Sequence, residues 1–231
     1  MKQQLRRGWW RLADYGYVAY WQLAGPLGAG SVEQYQRPSE PGRPPVVIVP
    51  GIYESWHFMR PLARQLHGQG FPVHFVRSLG FNHGSIADMA RLVADYLTDH
   101  GLTDVVIVAH SKGGLIGKYA MIHHDADHRI CAMAAINAPF AGSPYARWIP
   151  LVAVQALFPT NGTLTALTAN RSINSRITAI SSQFDTHIPG RSALGGAVNV
   201  ELATPGHFRA LSDPNLLPLI LAAVRRAQPD R

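Results

Sequence analysis

Ser111 stands in the run Val105-Val-Ile-Val-Ala-His-Ser-Lys-Gly-Gly114. A β-branched strand there enters a turn with Ala109 two residues before the serine and Gly113 two residues after it. Small residues are needed at both places. A sharp strand-to-helix turn brings its flanks together while lifting the serine side chain above the sheet. Ser111 would then face solvent at the carboxyl edge of the strands, where the next helix N-terminus favours negative charge. A free serine hydroxyl is a poor nucleophile, so the chemistry needs a base for its proton and a group to orient that base. The carboxylates beyond Ser111 are Asp125, Asp127, Asp185, Glu201, Asp213 and Asp230.

Other constellations carry less. His123-His-Asp-Ala-Asp-His128 looks metal-like, with His124 and His128 able to share a helix face. Zinc and iron sites need further ligands in fixed geometry, so a polar helix end, with histidine near the negative dipole, is the reading preferred. There is no Gly-x-x-x-x-Gly-Lys loop and no Gly-x-Gly-x-x-Gly after a strand, so neither ATP nor NAD is expected. No cofactor and no metal are expected. The one cysteine, Cys131, excludes an intrachain disulfide, cysteine-based zinc ribbons and iron–sulfur clusters.

The elements that must position Ser111 follow from the apolar pattern. Val46–Val49, Val73–Val76, Val105–Ala109, Ile130–Ile136, Ile177–Ser181 and Val198–Leu202 read as strands. Trp56–His67, Ile86–Thr98, Leu115–Ile122 and Pro214–Arg226 read as helices, with Ser85 as a cap for the second. Strands alternating with helices predict a parallel sheet of about six strands covered on both faces. Apolar residues make up 47% of the 231 and charged residues 15%, enough for one substantial core and too apolar for disorder.

The N-terminal stretch differs from the rest. Lys2, Arg6, Arg7 and Arg11 surround Trp9 and Trp10, and Tyr15, Tyr17, Tyr20 and Trp21 follow. The apolar stretch Gly16–Leu27 is too short for a bilayer span and lacks the clean apolar region of a signal peptide. Two readings stay open. One is a helix covering a face of the domain. The other is an interfacial helix with its aromatics, Trp9 to Trp21, at a lipid boundary. Residues Gln36–Pro45, with four prolines, form a connector. The formal net charge is +7, but the arginines are dispersed and no nucleic-acid motif accompanies them, so no nucleic-acid partner is expected.

The His-Ser-Lys-Gly-Gly turn resembles that of lipases and esterases of the α/β-hydrolase superfamily, over about Pro45 to Arg226. Three further stretches are similar to bacterial triacylglycerol lipases and inositol-deacylase-like lipases. Val49-Pro-Gly-Ile-Tyr53 follows the first strand, where the family carries an oxyanion loop. Asn137-Ala-Pro-Phe-Ala-Gly-Ser-Pro144 resembles a Pro-x-x-Gly-Ser stretch. Gly206-His207 follows the last strand, where the family places its histidine. The family's two earlier strands have no counterpart in Met1–Arg43, so a trimmed sheet is expected.

The resemblance implies the chain order serine, acid, histidine. Asp125 and Asp127 lie too close after the elbow helix, Glu201 sits inside a strand, and Asp213 and Asp230 follow the histidine. Asp185, at the carboxyl end of a strand, remains. Of the two histidines after it, His187 is only two residues on, and His207 fits the family's position. Ser111 is therefore the expected nucleophile, His207 the base and Asp185 its orienting acid. The backbone N–H groups of Lys112 and Ile52 are the expected oxyanion donors, with Tyr53 the alternative to Ile52.

Residues 140–170 read as a cap or lid insertion, or else as a packed helix of the core. Tyr53, Phe140 and Trp148 are the expected substrate contacts, and an apolar cap would favour an acyl or lipid chain. The chain divides into a helical segment, 1–36, and a hydrolase domain, 37–231. The expected activity is hydrolysis of carboxylic esters, most simply of lipid or acyl esters, with acyl transfer or thioester hydrolysis by the same triad as the alternative. A catalytically silent binding module is the alternative of another class. The expected location is the cytoplasm, with membrane association resting on the N-terminal segment.

Overall fold

The computed structural model describes residues 2–24, 30–38, 40–189 and 192–228. The end of the Gly16–Leu27 stretch, from residue 25, and residue 39 of the connector lie outside them. The chain opens with helix α1 (Lys2–Ala24). After the connector come β1 (Val46–Val49), α2 (Trp56–Gly68), β2 (Val73–Phe75), α3 (Ile86–Asp99), β3 (Val105–His110), α4 (Lys112–His123) and β4 (Ile130–Ile136). Two short helices follow, α5 (Val152–Gln155) and α6 (Gly162–Ala169), then β5 (Ile177–Ser182), β6 (Val198–Leu202) and α7 (Leu216–Ala227).

The six strands form one sheet in the order β2-β1-β3-β4-β5-β6, parallel throughout. Every residue of β1 and β3 is buried, as a strand covered on both faces requires. Side chains alternate between two cores. Val47, Val49, Ile107, Ala109, Met133 and Ala135 meet α3, α4 and α6 on one face. Val46, Ile48, Val106, Val108, Ala132 and Ala134 meet α2 and α7 on the other, where Tyr17, Val18 and Trp21 of α1 also pack. Strand order reverses between β1 and β3, so the loops leaving these two strands open a crevice at their carboxyl ends. The Ile52 loop and Ser111 leave from those two strands.

Two helix starts differ from the sequence reading. Helix α4 begins at Lys112 rather than Leu115. Its glycines are poor helix formers, but bulk there has no room: a Cβ on Gly113 would run into the Val49 carbonyl oxygen, and one on Gly114 into the Ala138 Cβ. Helix α7 begins at Leu216 rather than Pro214, and just ahead of it Asp213 Oδ1 accepts the Asn215 N–H at 2.8 Å.

Residues 140–170 divide between the core and the crevice. Leu164 and Leu167 of α6 are buried in the core beside α4, while α5 and the 3-10 turn Pro144–Trp148 lie over the crevice. The N-terminal helix covers a face of the sheet layer and reaches the same crevice.

Candidate active site

Ser111 sits at φ 51° and ψ −125°, in the left-handed region that non-glycine residues rarely occupy. The turn is held by its N–H, which donates to the Ile136 carbonyl at 2.9 Å. The strain aims the Ser111 side chain at the imidazole of His207, with Oγ 2.9 Å from Nε2. The other ring nitrogen, Nδ1, is 2.6 Å from Asp185 Oδ2. Since an ionised carboxylate can only accept, Nδ1 carries the proton, and Nε2 is left to accept from the serine hydroxyl. Asp185 Oδ1 accepts the N–H groups of His187 at 2.7 Å and Ile188 at 3.0 Å. Burial pushes the Asp185 carboxyl up, but the His207 ring and these N–H groups outweigh it and hold the acid below its usual range. Three residues separated by 74 and 22 positions thus make one hydrogen-bonded chain.

A cavity of about 750 Å³ opens above this chain, within the range of small-molecule sites. Arg11, Tyr15, Val18 and Gln22 of α1 form one wall; Ile52 and Tyr53 form another. Tyr145, Ile149, Val154 and Leu157 come from the cap, and His187, Ile188 and Phe208 from the loops after β5 and β6. Of the expected substrate contacts, Tyr53 lines the cavity. Phe140 does not: its ring is buried in the core beneath α6. Trp148 does not either. It closes the 3-10 turn with its ring in solvent and the Arg147 guanidinium 5.4 Å from the ring centre, so Tyr145 and Ile149 face the cavity instead.

Both residues of the oxyanion loop line the cavity, and one bond distinguishes them. The Tyr53 N–H donates to the Phe81 carbonyl at 2.7 Å, with Tyr53 at φ 58°, so it is committed elsewhere. Ile52 faces the cavity. The Lys112 side chain points away from the site and is buried, its Nζ donating to the carbonyls of Asn82 at 3.0 Å and Gly84 at 2.5 Å. Burial lowers its pKa to about 8.

Asp14, Gly206, Glu54, His110 and Asn137 support the site in roles a reading by sequence does not give. Asp14 of α1 is buried and accepts three backbone N–H groups: His207 to Oδ2, and Phe208 and Arg209 to Oδ1, each at 2.9 Å. Gly206, at φ 120°, is required beside it, because a Cβ there would collide with Asp14 Oδ1. Beneath the serine lies a second buried pair. His110 Nδ1 is 2.7 Å from Glu54 Oε1, and Glu54 Oε2 accepts the Gly51 N–H at 2.6 Å. His110 Nε2 donates to the His207 carbonyl at 3.0 Å, and Asn137 Nδ2 donates to the same oxygen at 2.7 Å. Burial alone would lower the His110 pKa, yet Glu54 outweighs it and raises it. The one available signal was local: Glu54 follows the expected oxyanion loop by one residue, and His110 precedes Ser111.

Asp185, His187 and His207 bring ligand atoms within 4.8 Å of one another, a spacing that could hold a metal ion. Both nitrogens of His207 are already engaged, so the hydrogen bonds account for the cluster. His187 is held neutral, its pKa lowered to about 4 by burial and then by the neighbouring His207, and its Nε2 is 3.3 Å from the Tyr15 hydroxyl. His123 and His124 close α4 against the Tyr119 ring.

A family model described as alpha/beta hydrolase fold matches residues 44–161. The fold also resembles solved structures. A lipase of Bacillus licheniformis in its mature form is 18% identical, with a TM-score of 0.61 over 80% of this chain and 93% of that one. Its propeptide form is 19% identical, with a TM-score of 0.62, and this chain spans only 51% of its length against 78% of its own. A hydrolase from Oleispira antarctica is 16% identical, with a TM-score of 0.60 over 86% of this chain and 98% of that one. At such identities the likeness is one of fold. None of the curated proteins matches the sequence.

Proposed function

The chain belongs to the α/β-hydrolase fold family, and on that premise we propose that it cleaves carboxylic esters through an acyl-enzyme on Ser111. One observation carries the reading: the unbroken hydrogen-bonded chain from Ser111 Oγ through His207 to Asp185, at the floor of an open cavity. Ser111 Oγ attacks the ester carbonyl while its proton passes to His207 Nε2. Asp185 holds the Nδ1 proton and stabilises the imidazolium. The N–H groups of Ile52 and Lys112 receive the oxyanion, each worth about 3 to 4 kcal/mol of barrier. His207 returns the proton to the leaving alkoxide, which departs as the alcohol. A water then gives its proton to His207 and attacks the acyl carbon, and Ser111 leaves with its proton restored.

The aliphatic walls, from Val18, Ile149, Val154, Leu157 and Ile188, favour an acyl chain over a polar acid. That lipases and carboxylesterases appear among the proteins of similar fold is consistent with this. Helix α1 is proposed as a working part of the hydrolase unit, because it supplies a wall of the cavity and holds the His207 loop.

The test is labelling by a fluorophosphonate, beside a Ser111→Ala control, followed by hydrolysis of p-nitrophenyl esters of graded chain length. Labelling of the wild type alone, with kcat falling about 10⁴-fold or more in Ser111→Ala, is expected. A folded wild type that neither reacts with the probe nor turns over any ester, with or without detergent, would make the chain a silent binding module. Product analysis with added alcohol separates hydrolysis from acyl transfer.

A further inference from the structure

A surface helix ordinarily turns its apolar stripe inward and its charges to water. Helix α1 has an apolar stripe on its outer side as well. Leu5, Trp9, Leu12 and Leu23, together with Gly16 and Ala19, follow one another at spacings of four and three, the spacing of a single helix face. All of these are exposed. Leu5, Trp9, Leu12 and Leu23, with Tyr20 beside them, are 61 to 75% exposed. The inner side is taken by other residues: Asp14 under the His207 loop, and Tyr17, Val18 and Trp21 on the core.

A second apolar patch borders the same cavity. In the cap, Trp148 is 76% exposed, and Ile149 and Leu151 are exposed beside it. Ile149 and Tyr145 line the cavity from the cap side, as Tyr15 and Arg11 do from α1. Charge on both elements has one sign. Helix α1 carries Lys2, Arg6, Arg7 and Arg11, and its one acid, Asp14, is buried and turned inward. Residues 140–169 contain Arg147 and no other charged residue.

We propose that this face, the outer stripe of α1 together with the cap patch, docks on an anionic phospholipid surface and sets the cavity mouth against it. Interfacial helices combine exposed aliphatic and tryptophan side chains with arginines that reach the headgroups. Here Arg6 flanks the stripe, Arg11 stands at the cavity and Arg147 beside Trp148, whereas Arg7 lies over the Phe184 ring; the surface would meet α1 and the cap together. A second copy of this chain suits the face less well. Pairing two stripes would leave the cap patch in water, and would leave Arg11 at the cavity and Arg147 in the cap without an acid to meet them. Among the described residues no helix is long and apolar enough to cross a membrane, so contact would be from one side.

The experiment is flotation of the full chain with vesicles of phosphatidylcholine, alone or mixed with phosphatidylglycerol. The wild type should partition onto the mixed vesicles about tenfold or more strongly than onto neutral ones, and lose most of that preference in high salt. The variant carrying Leu5→Ser, Trp9→Ser and Leu23→Ser should lose about tenfold or more in partition with an unchanged melting temperature. These side chains face away from the core and from the cavity. In a second measurement on the unaltered chain, brominated phospholipid should quench tryptophan emission. Equal partition of wild type and variant, or no quenching, would overturn the proposal. So would a lipid-free wild-type dimer that the variant makes monomeric, which would give the face to a second copy. The Ser111→Ala protein should bind vesicles like the wild type, so failure of the ester-hydrolase reading and failure of this one are separately visible.

Discussion

Asp14 is the acceptor for three consecutive N–H groups of the segment that carries His207, across 193 positions of sequence. The 3-10 turn Arg209–Ser212 begins there, so the carboxylate does for that segment what a capping side chain does for a helix start. In Asp14→Ala three donors would lose their partner in a buried place, each at a cost of about 1 kcal/mol or more. The loop would keep its sequence and lose its position. The expected result is a fall of roughly tenfold to a hundredfold in kcat with KM little changed, since a misplaced base weakens the transition state more than binding. A lowered stability alone would leave kcat intact at temperatures where the variant is folded. The downfield proton resonance of His207 Nδ1 is the second readout: it should shift or broaden in Asp14→Ala and stay in a control such as Thr163→Ala. An unchanged resonance together with an unchanged kcat would make Asp14 merely structural.

At the scale of elements, the crossing of α4 with β1 is the tightest point. Gly113 faces the Val49 carbonyl so closely that no Cβ fits, and the atom in the way is backbone. Gly113→Ala therefore has to push β1 away from α4 and with it the Ile52 loop. We expect a variant that is destabilised by about 2 kcal/mol or more, by urea titration, and that reacts with fluorophosphonate far more slowly where still folded. Gly162→Ala, at a glycine with open space around it, serves as the control and should change neither. The elbow was legible in the sequence because its steric demands, although imposed by Val49 and Ala138 elsewhere in the chain, fall on residues close together, Ala109, Gly113 and Gly114, and so leave a local pattern. Strands β1, β3 and β4 were legible too, because burial on both faces forces unbroken apolar runs. Asp14 was not. Its three partners lie at the other end of the chain, and an isolated aspartate in a basic, aromatic helix carries no mark of them. Phe140 and Trp148 do not line the cavity for two different reasons: Phe140 packs into the core with Leu164 and Leu167, and the 3-10 turn Pro144–Trp148, invisible to a helix or strand period, turns Tyr145 rather than Trp148 to the cavity.

For the whole molecule, the balance of buried histidines sets how stability depends on pH. His74 and His187 are held neutral, each with its pKa lowered to about 4, by burial first and then by a neighbouring histidine, His100 and His207 respectively. In the unfolded chain both titrate near 6.5. Between about pH 6.5 and 4 the unfolded state therefore binds protons that the native state refuses, and stability must fall as the pH drops through that window. His110 acts in the opposite sense. Its pKa is raised by Glu54 against the effect of burial, so its contribution is complete below about 6.5 and is lost as the pH rises through its raised value. The two effects together place the maximum of stability above pH 6.5 and below the point where His110 gives up its proton. Urea titrations at pH 7, 6 and 5 should show midpoints falling with pH, with His57, whose pKa is lowered by burial and then by Arg60, adding to the slope set by His74 and His187. His74→Phe removes one of these groups and leaves the site untouched, so its slope toward the acid end should be lower by about one proton. A wild type whose stability is flat from pH 7 to 5, or a His74→Phe protein with the wild-type slope, would mean that these histidines take up protons in the native state. The acid side of the curve would then have to come from the carboxylates, Asp185 first among them, whose lowered pKa confines its loss to pH below about 4.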